Sequence, residues 1–290
     1  MKLTELFDAG EFVVTSEVAP PKGTDLVGML ESADLLRSRV AAINITDQQS
    51  SVMRLGSLVA SHQLKSRGIE PIFQVTCRDR NRIALQSDLL SAWAAGIENI
   101  LCLTGDHVCL GDSLGAKPVF DLDSVSLLAA ARSLNGGSDM EGNELAGKTD
   151  FCLGAVVTPG ANPVDPQLIK MAKKVDAGAA FFQTQAIFDA DAFARFMEQA
   201  EAFGIPVVAG IILLKSAGMA RFMNQNIAGV HVPQALIDEM STTVKEDRPA
   251  KSVEIAARIV RELKDVCQGV HIMPLGWEKQ VPAVLDAAEL

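Results

Sequence analysis

The feature that most constrains the fold of this chain is a recurring order of local patterns: a helical pattern, a glycine, and then an apolar run typical of a strand. The pattern occurs in SRGIEPIFQVTC, AAGIENILCLTG, DAGAAFFQTQ, AFGIPVVAGIIL and CQGVHIMPLG, with the glycines at Gly68, Gly96, Gly178, Gly204 and Gly269. A glycine just past a helix end adopts the left-handed conformation without steric cost. The runs that follow are apolar on both faces, as in parallel strands that are covered on both sides. The chain is therefore predicted to alternate helices with buried parallel strands.

Three further strands lack the glycine mark and are predicted in FVVTSEVAP, VAAINITD and FCLGAVVTP, which brings the total to eight. Helices are predicted over 26–37, 51–65, 82–95, 124–134, 166–175, 190–202, 216–225 and 252–265, and GVHVPQALIDEM is interpreted as a turn-rich piece. Eight alternating units favour a closed (β/α)8 TIM barrel over an open doubly wound sheet. The open sheet also requires a glycine-rich phosphate turn after its first strand, where this chain has APPKGTD. We predict one α/β domain over 1–290, with a polar surface insertion at about 135–149.

Charge and composition argue against several classes of function. The formal net charge is −10 and the basic residues are scattered, which disfavours nucleic acid as a partner. No apolar run is long enough to span a membrane, and the start, MKLTELFDAGEF, lacks the apolar core of a signal peptide, so a cytoplasmic protein is expected. The five cysteines are widely spaced without a CxxC pair, which argues against a disulfide framework and a thiolate metal site. No metal is predicted.

Polar residues at the strand ends are the candidates for chemistry, because active sites of such barrels lie at the carboxyl ends of the strands. Glu17 lies at the end of the first strand and Asp106 at the end of the fourth, so two carboxylates are expected to face one cavity. Like charges close together in a dry pocket favour protonation of one of them, which makes one carboxyl a candidate proton donor near neutral pH. Lys215, at the end of the seventh strand, leaves a different reading open: a lyase or aldolase that forms a Schiff base.

The combination of EVAPPKGTD, NITD, QVTCRDRNRIALQSDL, GIENILCLTGD and KKVDAGAAFFQTQAIFD resembles the methylenetetrahydrofolate reductase family over most of the chain. The resemblance implies a flavin-containing barrel that reduces 5,10-methylenetetrahydrofolate to 5-methyltetrahydrofolate by hydride transfer from reduced flavin. It implies that Glu17 is the general acid at the folate nitrogen and that Asp106 lies near both flavin and pterin. Gln185 is implied at the substrate and nicotinamide face. The chemistry agrees, since ring opening needs one acid and the resulting cation needs one carboxylate.

The same resemblance implies a set of flavin-binding residues. They are Thr46, Gln74, Leu103, Thr104, Gly105, Asp106, Thr158, Asn162 and Lys174, with Lys174 near the flavin phosphate. Gln74, Thr158 and Asn162 differ from the residues that many members carry beside the flavin tail. The resemblance implies FAD as the flavin, and these differences leave FMN as the alternative.

The electron donor is left open between NAD(P)H and a partner electron-transfer subunit. Ala217 and Trp277 stand where a phenylalanine and an arginine are common, which looks like the short reductases of acetogenic and related anaerobes. A homo- or hetero-oligomer is compatible with that likeness. The alternative function is a barrel subunit that binds folate or flavin within a larger redox complex and has little activity alone.

Overall fold

The computed structural model describes residues 1–290, and its eight parallel strands form a closed barrel in chain order. The strands are β1 (Val13–Val18), β2 (Ala42–Ile45), β3 (Pro71–Thr76), β4 (Asn99–Leu103), β5 (Cys152–Val157), β6 (Phe181–Ala186), β7 (Val207–Ile212) and β8 (Gly269–Met273). Closure places Thr15 of β1 beside Ala42 of β2 on one side and beside His271 of β8 on the other. The predicted (β/α)8 barrel is confirmed.

Eleven α-helices surround or cap the barrel. They are α1 (Leu3–Asp8), α2 (Val27–Leu36), α3 (Ser57–Lys65), α4 (Arg82–Ala94), α5 (Ser124–Gly136), α6 (Asp165–Asp176), α7 (Ala190–Ala200), α8 (Ala217–Asn226), α9 (Gln234–Thr242), α10 (Arg248–Leu263) and α11 (Val281–Ala287). All eight predicted helical segments contain a helix. The interpretation of GVHVPQALIDEM as turns was wrong, because α9 begins within it. None of the eleven helices has the length and apolar character that crossing a bilayer requires.

The start of α3 differs from its prediction for a local reason. The helix begins at Ser57 rather than Ser51, because the backbone of Gln48, Ser50 and Ser51 is left-handed, with φ of 50°, 55° and 59°. Residues other than glycine rarely adopt this conformation, and it ends a right-handed helical path. The segment 48–56 is therefore a loop at the carboxyl end of the barrel.

The five glycines that precede predicted strands have two different structural roles. Gly68, Gly96, Gly178 and Gly204 have positive φ after helix ends, as predicted. Gly269 does not: it is the first residue of β8, and a Cβ there would lie 2.1 Å from the Val13 carbonyl oxygen. The prediction of a left-handed helix end was wrong at Gly269, where the glycine is required by the close approach of β1 and β8.

The interior of the barrel is apolar at one end and polar at the other. At the amino end of the strands, Val13, Ala42, Ile72 and their neighbours form an apolar cluster, and Leu3 of α1 is buried against it. Nearer the carboxyl end the inward side chains become polar, as in the hydrogen bond of 2.8 Å that Asn44 Nδ2 donates to Gln183 Oε1. The apolar floor leaves the carboxyl-end mouth as the place for chemistry.

The polar segment 135–149 links α5 to β5. Its two ends are fastened together, because Asn135 Oδ1 accepts hydrogen bonds from Thr149 Oγ1 at 2.6 Å and from the Phe151 amide at 2.9 Å. Ser138 and Glu144 form an isolated antiparallel bridge between them. The segment thus has a defined path and leaves the barrel strands undisturbed.

Candidate active site

A cavity of about 400 Å³ opens at the carboxyl ends of the strands, and both Glu17 and Asp106 line it. The other residues around it are mostly polar. They are Thr46, Asp47, Gln48, Gln49, Gln74, Thr76, Arg78, Cys102, Leu103, Thr104, Gly105, Ser124, Val156, Thr158, Gln167, Lys170, Lys174 and Gln185. Apart from Asn162, every residue predicted for the site borders this one space.

Glu17 is held at the inner wall of the cavity and is only 8% exposed. Its Oε2 lies 3.6 Å from Nε2 of His271, a side chain that is completely buried inside the barrel. Nδ1 of His271 shares a hydrogen bond of 2.9 Å with Thr15 Oγ1. The carboxyl group of Glu17 therefore has one face toward the cavity and one toward a buried imidazole.

Asp106 belongs to the loop after β4, and its side chain is exposed at the mouth. Gly105 has φ of +89°, and a Cβ there would lie 3.0 Å from Thr76 Cβ. Arg78 is buried and donates hydrogen bonds to the main-chain oxygens of Asp106, at 3.3 Å, and Gln48, at 3.2 Å. The two carboxylates line one cavity, but only Glu17 is buried; the expectation of a dry environment for both was wrong, because Asp106 extends into open solvent.

Asp47 is a third carboxylate at the mouth; it is buried like Glu17, and its Oδ2 is engaged within the protein. It accepts hydrogen bonds from the Thr76 amide at 2.8 Å and from Thr76 Oγ1 at 2.9 Å, and it forms an ion pair with Arg80. Neighbouring Thr46 differs, since its Oγ1 is buried beside the cavity without a hydrogen-bond partner. An unpartnered buried hydroxyl at a cavity wall is costly unless a ligand satisfies it.

The opposite wall of the cavity is basic. Lys174 of α6 is 7% exposed and donates a hydrogen bond to the Val156 carbonyl oxygen. Burial, and then the nearby charge of Lys170, lowers the pKa of Lys174 from its ordinary value of 10.5 to about 8. A bound anion would stabilise the charged form of this amine, so the wall is suited to a phosphate group.

The sequence analysis missed Gln167 and Lys170, which line the cavity from the same face of α6 as Lys174. Gln167, Lys170 and Lys174 follow one another at steps of three and four residues, about one helical turn each, and this spacing is the signal that identifies them. The sequence analysis also assigned no role to His271, because the proximity of His271 to Glu17 depends on closure of the barrel.

Two predicted or considered residues do not border the cavity. Asn162 is exposed in the loop between β5 and α6, so the structure does not bring it to the other candidate flavin-binding residues. Lys215 lies elsewhere at the mouth, where Nζ donates to the Leu275 carbonyl oxygen and sits 5.3 Å from the centre of the Trp277 ring. An amine held in this way does not face the cavity, and the geometry gives no support to a Schiff-base mechanism.

The family model described as methylenetetrahydrofolate reductase matches residues 2–289 of the chain. The chain belongs to this family. Among curated relatives, a 5,10-methylenetetrahydrofolate reductase of Pectobacterium carotovorum is 30% identical over 70% of this chain and 64% of its own length. The corresponding enzyme of Salmonella typhimurium is 26% identical over 88% of this chain and 82% of its own length.

Some members of the methylenetetrahydrofolate reductase family are much longer than this chain. Methylenetetrahydrofolate reductase 2 of Schizosaccharomyces pombe is 25% identical over the whole chain, which spans 48% of that relative. Among solved structures, a protein of Clostridium thermocellum that binds two copies of 5-methyl-5,6,7,8-tetrahydrofolic acid has a TM-score of 0.70 at 16% identity, covering 99% of this chain and 97% of that one. At this identity the likeness shows the fold.

Proposed function

We propose that this protein reduces 5,10-methylenetetrahydrofolate to 5-methyltetrahydrofolate with a bound flavin. The observation that carries the proposal is that a buried acid, Glu17, lines the same cavity as Asp106 and the basic wall of Lys174. Membership of the methylenetetrahydrofolate reductase family supports it, as do the names of the bacterial relatives and the folate bound to the Clostridium thermocellum neighbour.

The cavity fits a flavin in the character of its donors. The unpartnered Thr46 Oγ1 offers a hydrogen bond, and Lys170 and Lys174 offer charge to a phosphate. Gln74 and Thr158 would add polar contacts from β3 and from the end of β5. The main chain of Leu103, Thr104 and Gly105 borders the same space, and Gly105 leaves it free of a side chain. FAD is the flavin we propose, with FMN as the alternative.

In the proposed reaction, Glu17, Asp106 and Gln185 each act on the substrate. Glu17 donates its proton to the ring nitrogen that leaves when the five-membered ring opens, and a cationic iminium forms on the other nitrogen. The carboxylate of Asp106 stabilises that cation, and Gln185 orients the substrate from the end of β6. Bound reduced flavin supplies the hydride that converts the iminium to the methyl group. His271 lies behind Glu17, with its buried Nε2 3.6 Å from Oε2 and without a hydrogen-bond partner.

The test is reconstitution with FAD or FMN, followed by anaerobic reduction with dithionite and mixing with methylenetetrahydrofolate. We expect the flavin absorbance to return as the substrate is reduced, and mass spectrometry to detect 5-methyltetrahydrofolate. Dithionite makes the result independent of the natural donor, which we propose to be NAD(P)H or an electron-transfer subunit. A protein that binds neither flavin would overturn the proposal, and one that binds flavin and folate without transfer would favour a binding subunit of a larger complex.

A further inference from the structure

His271 is a completely buried histidine inside the barrel, and one of its two ring nitrogens has no hydrogen-bond partner. That nitrogen, Nε2, lies 3.6 Å from Oε2 of Glu17, which is too far for a hydrogen bond but close enough for a small shift to form one. The other ring nitrogen, Nδ1, lies 2.9 Å from Thr15 Oγ1. A buried polar atom without a partner is costly, so an unpartnered Nε2 facing a carboxyl group points to a part in the chemistry of that group.

Thr15 decides which ring nitrogen of His271 carries the hydrogen. The Thr15 hydroxyl is buried, and His271 Nδ1 is its hydrogen-bond partner. If Nδ1 carried a hydrogen and donated it, the hydroxyl hydrogen of Thr15 would be buried without an acceptor, which is costly. The arrangement of lower energy has the Thr15 hydroxyl donating to Nδ1. The hydrogen of the imidazole is then on Nε2, where it faces Glu17.

The carboxyl group of Glu17 has no other strong partner for its ionised form. It accepts no hydrogen bond within the protein, and no lysine or arginine lies at ion-pair distance from it. Asn44 is level with Glu17 in the pairing of β1 with β2, but its amide nitrogen donates to Gln183 at 2.8 Å. Formation of a buried carboxylate is costly unless a hydrogen-bond donor meets the charge, and Nε2 of His271 is the donor in place.

We propose that His271 is a positioning residue for the acid, and that its Nε2–H forms a hydrogen bond to Glu17 when Glu17 becomes ionised. This inference rests on the proposed function. There, the Glu17 proton moves to the ring nitrogen of methylenetetrahydrofolate, the bond from that nitrogen to the methylene carbon breaks, and a carboxylate remains. The hydrogen bond from His271 stabilises that carboxylate and lowers the barrier to ring opening.

The surroundings of the pair suit a contact that shortens during the reaction. The imidazole is held, because His271 is paired with Thr15 across β1 and β8 and also accepts the Thr15 hydrogen bond. The glutamate side chain has more rotatable bonds and is the partner that moves. A shift of roughly 0.7 Å by Oε2 brings the two atoms to an ordinary hydrogen-bond distance.

The first measurement is nitrogen NMR of the full chain, with and without flavin, isotope-labelled only in its histidines. We expect His271 to carry its hydrogen on Nε2, and the loss of its signals in His271→Gln identifies them. Thr15→Val removes the donor and should allow both tautomers. Ser16→Ala is the matched control, because this next hydroxyl on β1 donates to the Ile272 carbonyl oxygen at 2.9 Å; its spectrum should be unchanged. A hydrogen on Nδ1 in the wild type would overturn the proposal.

The second measurement is reoxidation of reduced flavin by methylenetetrahydrofolate, followed by stopped-flow absorbance. We expect His271→Leu, which has no donor, to slow this step roughly 10- to 100-fold and to change the Kd of 5-methyltetrahydrofolate less than about 2-fold. His271→Gln has an amide that can donate from a similar position, and it should restore the rate to within about 5-fold of the wild type. In a Glu17→Gln background His271→Leu should cost less than about 2-fold, since no carboxylate forms there.

An unchanged rate in His271→Leu, an equal loss in His271→Gln, or a full further loss on top of Glu17→Gln would each contradict the role of His271. If His271→Leu does not fold, Thr15→Val decides the kinetic question: we expect reoxidation to slow roughly 3- to 10-fold, with Ser16→Ala at the wild-type rate. Failure of the wild type to reoxidise its flavin would instead contradict the proposed function. The tautomer is measured without any reaction, so the two failures are distinguishable.

Discussion

Glu17 Oε2 lies 3.6 Å from Nε2 of His271, and the two residues come from the first and last strands of the barrel. Their contact exists only because β1 and β8 pair to close the sheet. Thr15 holds the far side of the imidazole, so the ring cannot swing away from the carboxyl group without losing that hydrogen bond. The carboxyl group of Glu17 therefore lies between this imidazole and the cavity.

Replacement of Glu17 by glutamine separates the two halves of the proposed reaction. The amide keeps the size of the side chain but supplies no acidic proton for ring opening. We expect Glu17→Gln to leave reduction of the flavin nearly normal and to slow its reoxidation by methylenetetrahydrofolate by roughly 10²- to 10⁴-fold. Stopped-flow absorbance measures both steps. Equal losses in the two would contradict the role of Glu17 as the acid.

Asp106→Asn removes the carboxylate proposed to stabilise the substrate cation. We expect weaker binding of folate and a shift of the flavin reduction potential to a more positive value, because a negative charge beside reduced flavin is lost. Titration with 5-methyltetrahydrofolate and a spectroscopic potential measurement provide the readouts. Asp8→Asn, an exposed substitution on α1, is the control for net charge. If both quantities stay at their wild-type values, Asp106 has no part in the site.

We expect Lys174 to make the proposed flavin binding depend on pH. Since burial and Lys170 lower its pKa to about 8, the amine loses its charge as the pH rises through that value, and affinity for a phosphate should fall above about pH 8. In the flavin-free protein, a rise in pH has the opposite effect and stabilises the fold. Between about pH 8 and 10.5 the unfolded chain binds more protons at this amine than the folded protein does, so the free energy of unfolding increases as the pH rises across that window.

The substitution Lys174→Met tests both statements. At pH 7 it removes a poorly solvated charge, so we expect the flavin-free protein to become more stable by about 1 to 3 kcal/mol while flavin binding weakens and loses its pH dependence. Lys173→Met, on the exposed side of the same helix, is the matched control. Urea unfolding and fluorescence titration measure the two effects, and parallel pH profiles for all three proteins would contradict the assignment.

Gly105→Ala tests the turn that follows β4. The backbone at φ of +89° is strained for any side chain, and the new methyl group would press on Thr76 Cβ at 3.0 Å. We expect a loss of about 1 to 3 kcal/mol in the free energy of unfolding together with weaker flavin binding. Gly115→Ala in the same loop should be nearly neutral, because nothing lies within 4 Å of its added Cβ. Similar unfolding curves for the two variants would count against this account of the turn.

The fold could be predicted from sequence because each strand–helix unit carries its own local signals. Buried parallel strands are continuously apolar, and at Gly68 and Gly96 the helix ends are marked by a residue type with special backbone freedom. The start of α3 could not be predicted, since the left-handed backbone begins at Gln48, whose carbonyl oxygen accepts a hydrogen bond from the distant Arg78.

Residues lining the cavity could be predicted where they lie at or just past the carboxyl end of a strand, as Glu17 in β1 and Asp106 after β4 do. Residues that reach the cavity by another route were missed. Lys170 comes from a helix face, and His271 meets Glu17 through a strand pairing that links residues about as far apart as the chain allows. Asn162 follows a strand as well, yet it is exposed and does not line the cavity, because position in the chain does not fix the path of a loop.

The apolar floor formed by Val13, Ala42 and Ile72 under Leu3 closes the amino end of the barrel. In the reaction that we propose, substrate and product therefore share one route to Glu17, through the carboxyl-end mouth.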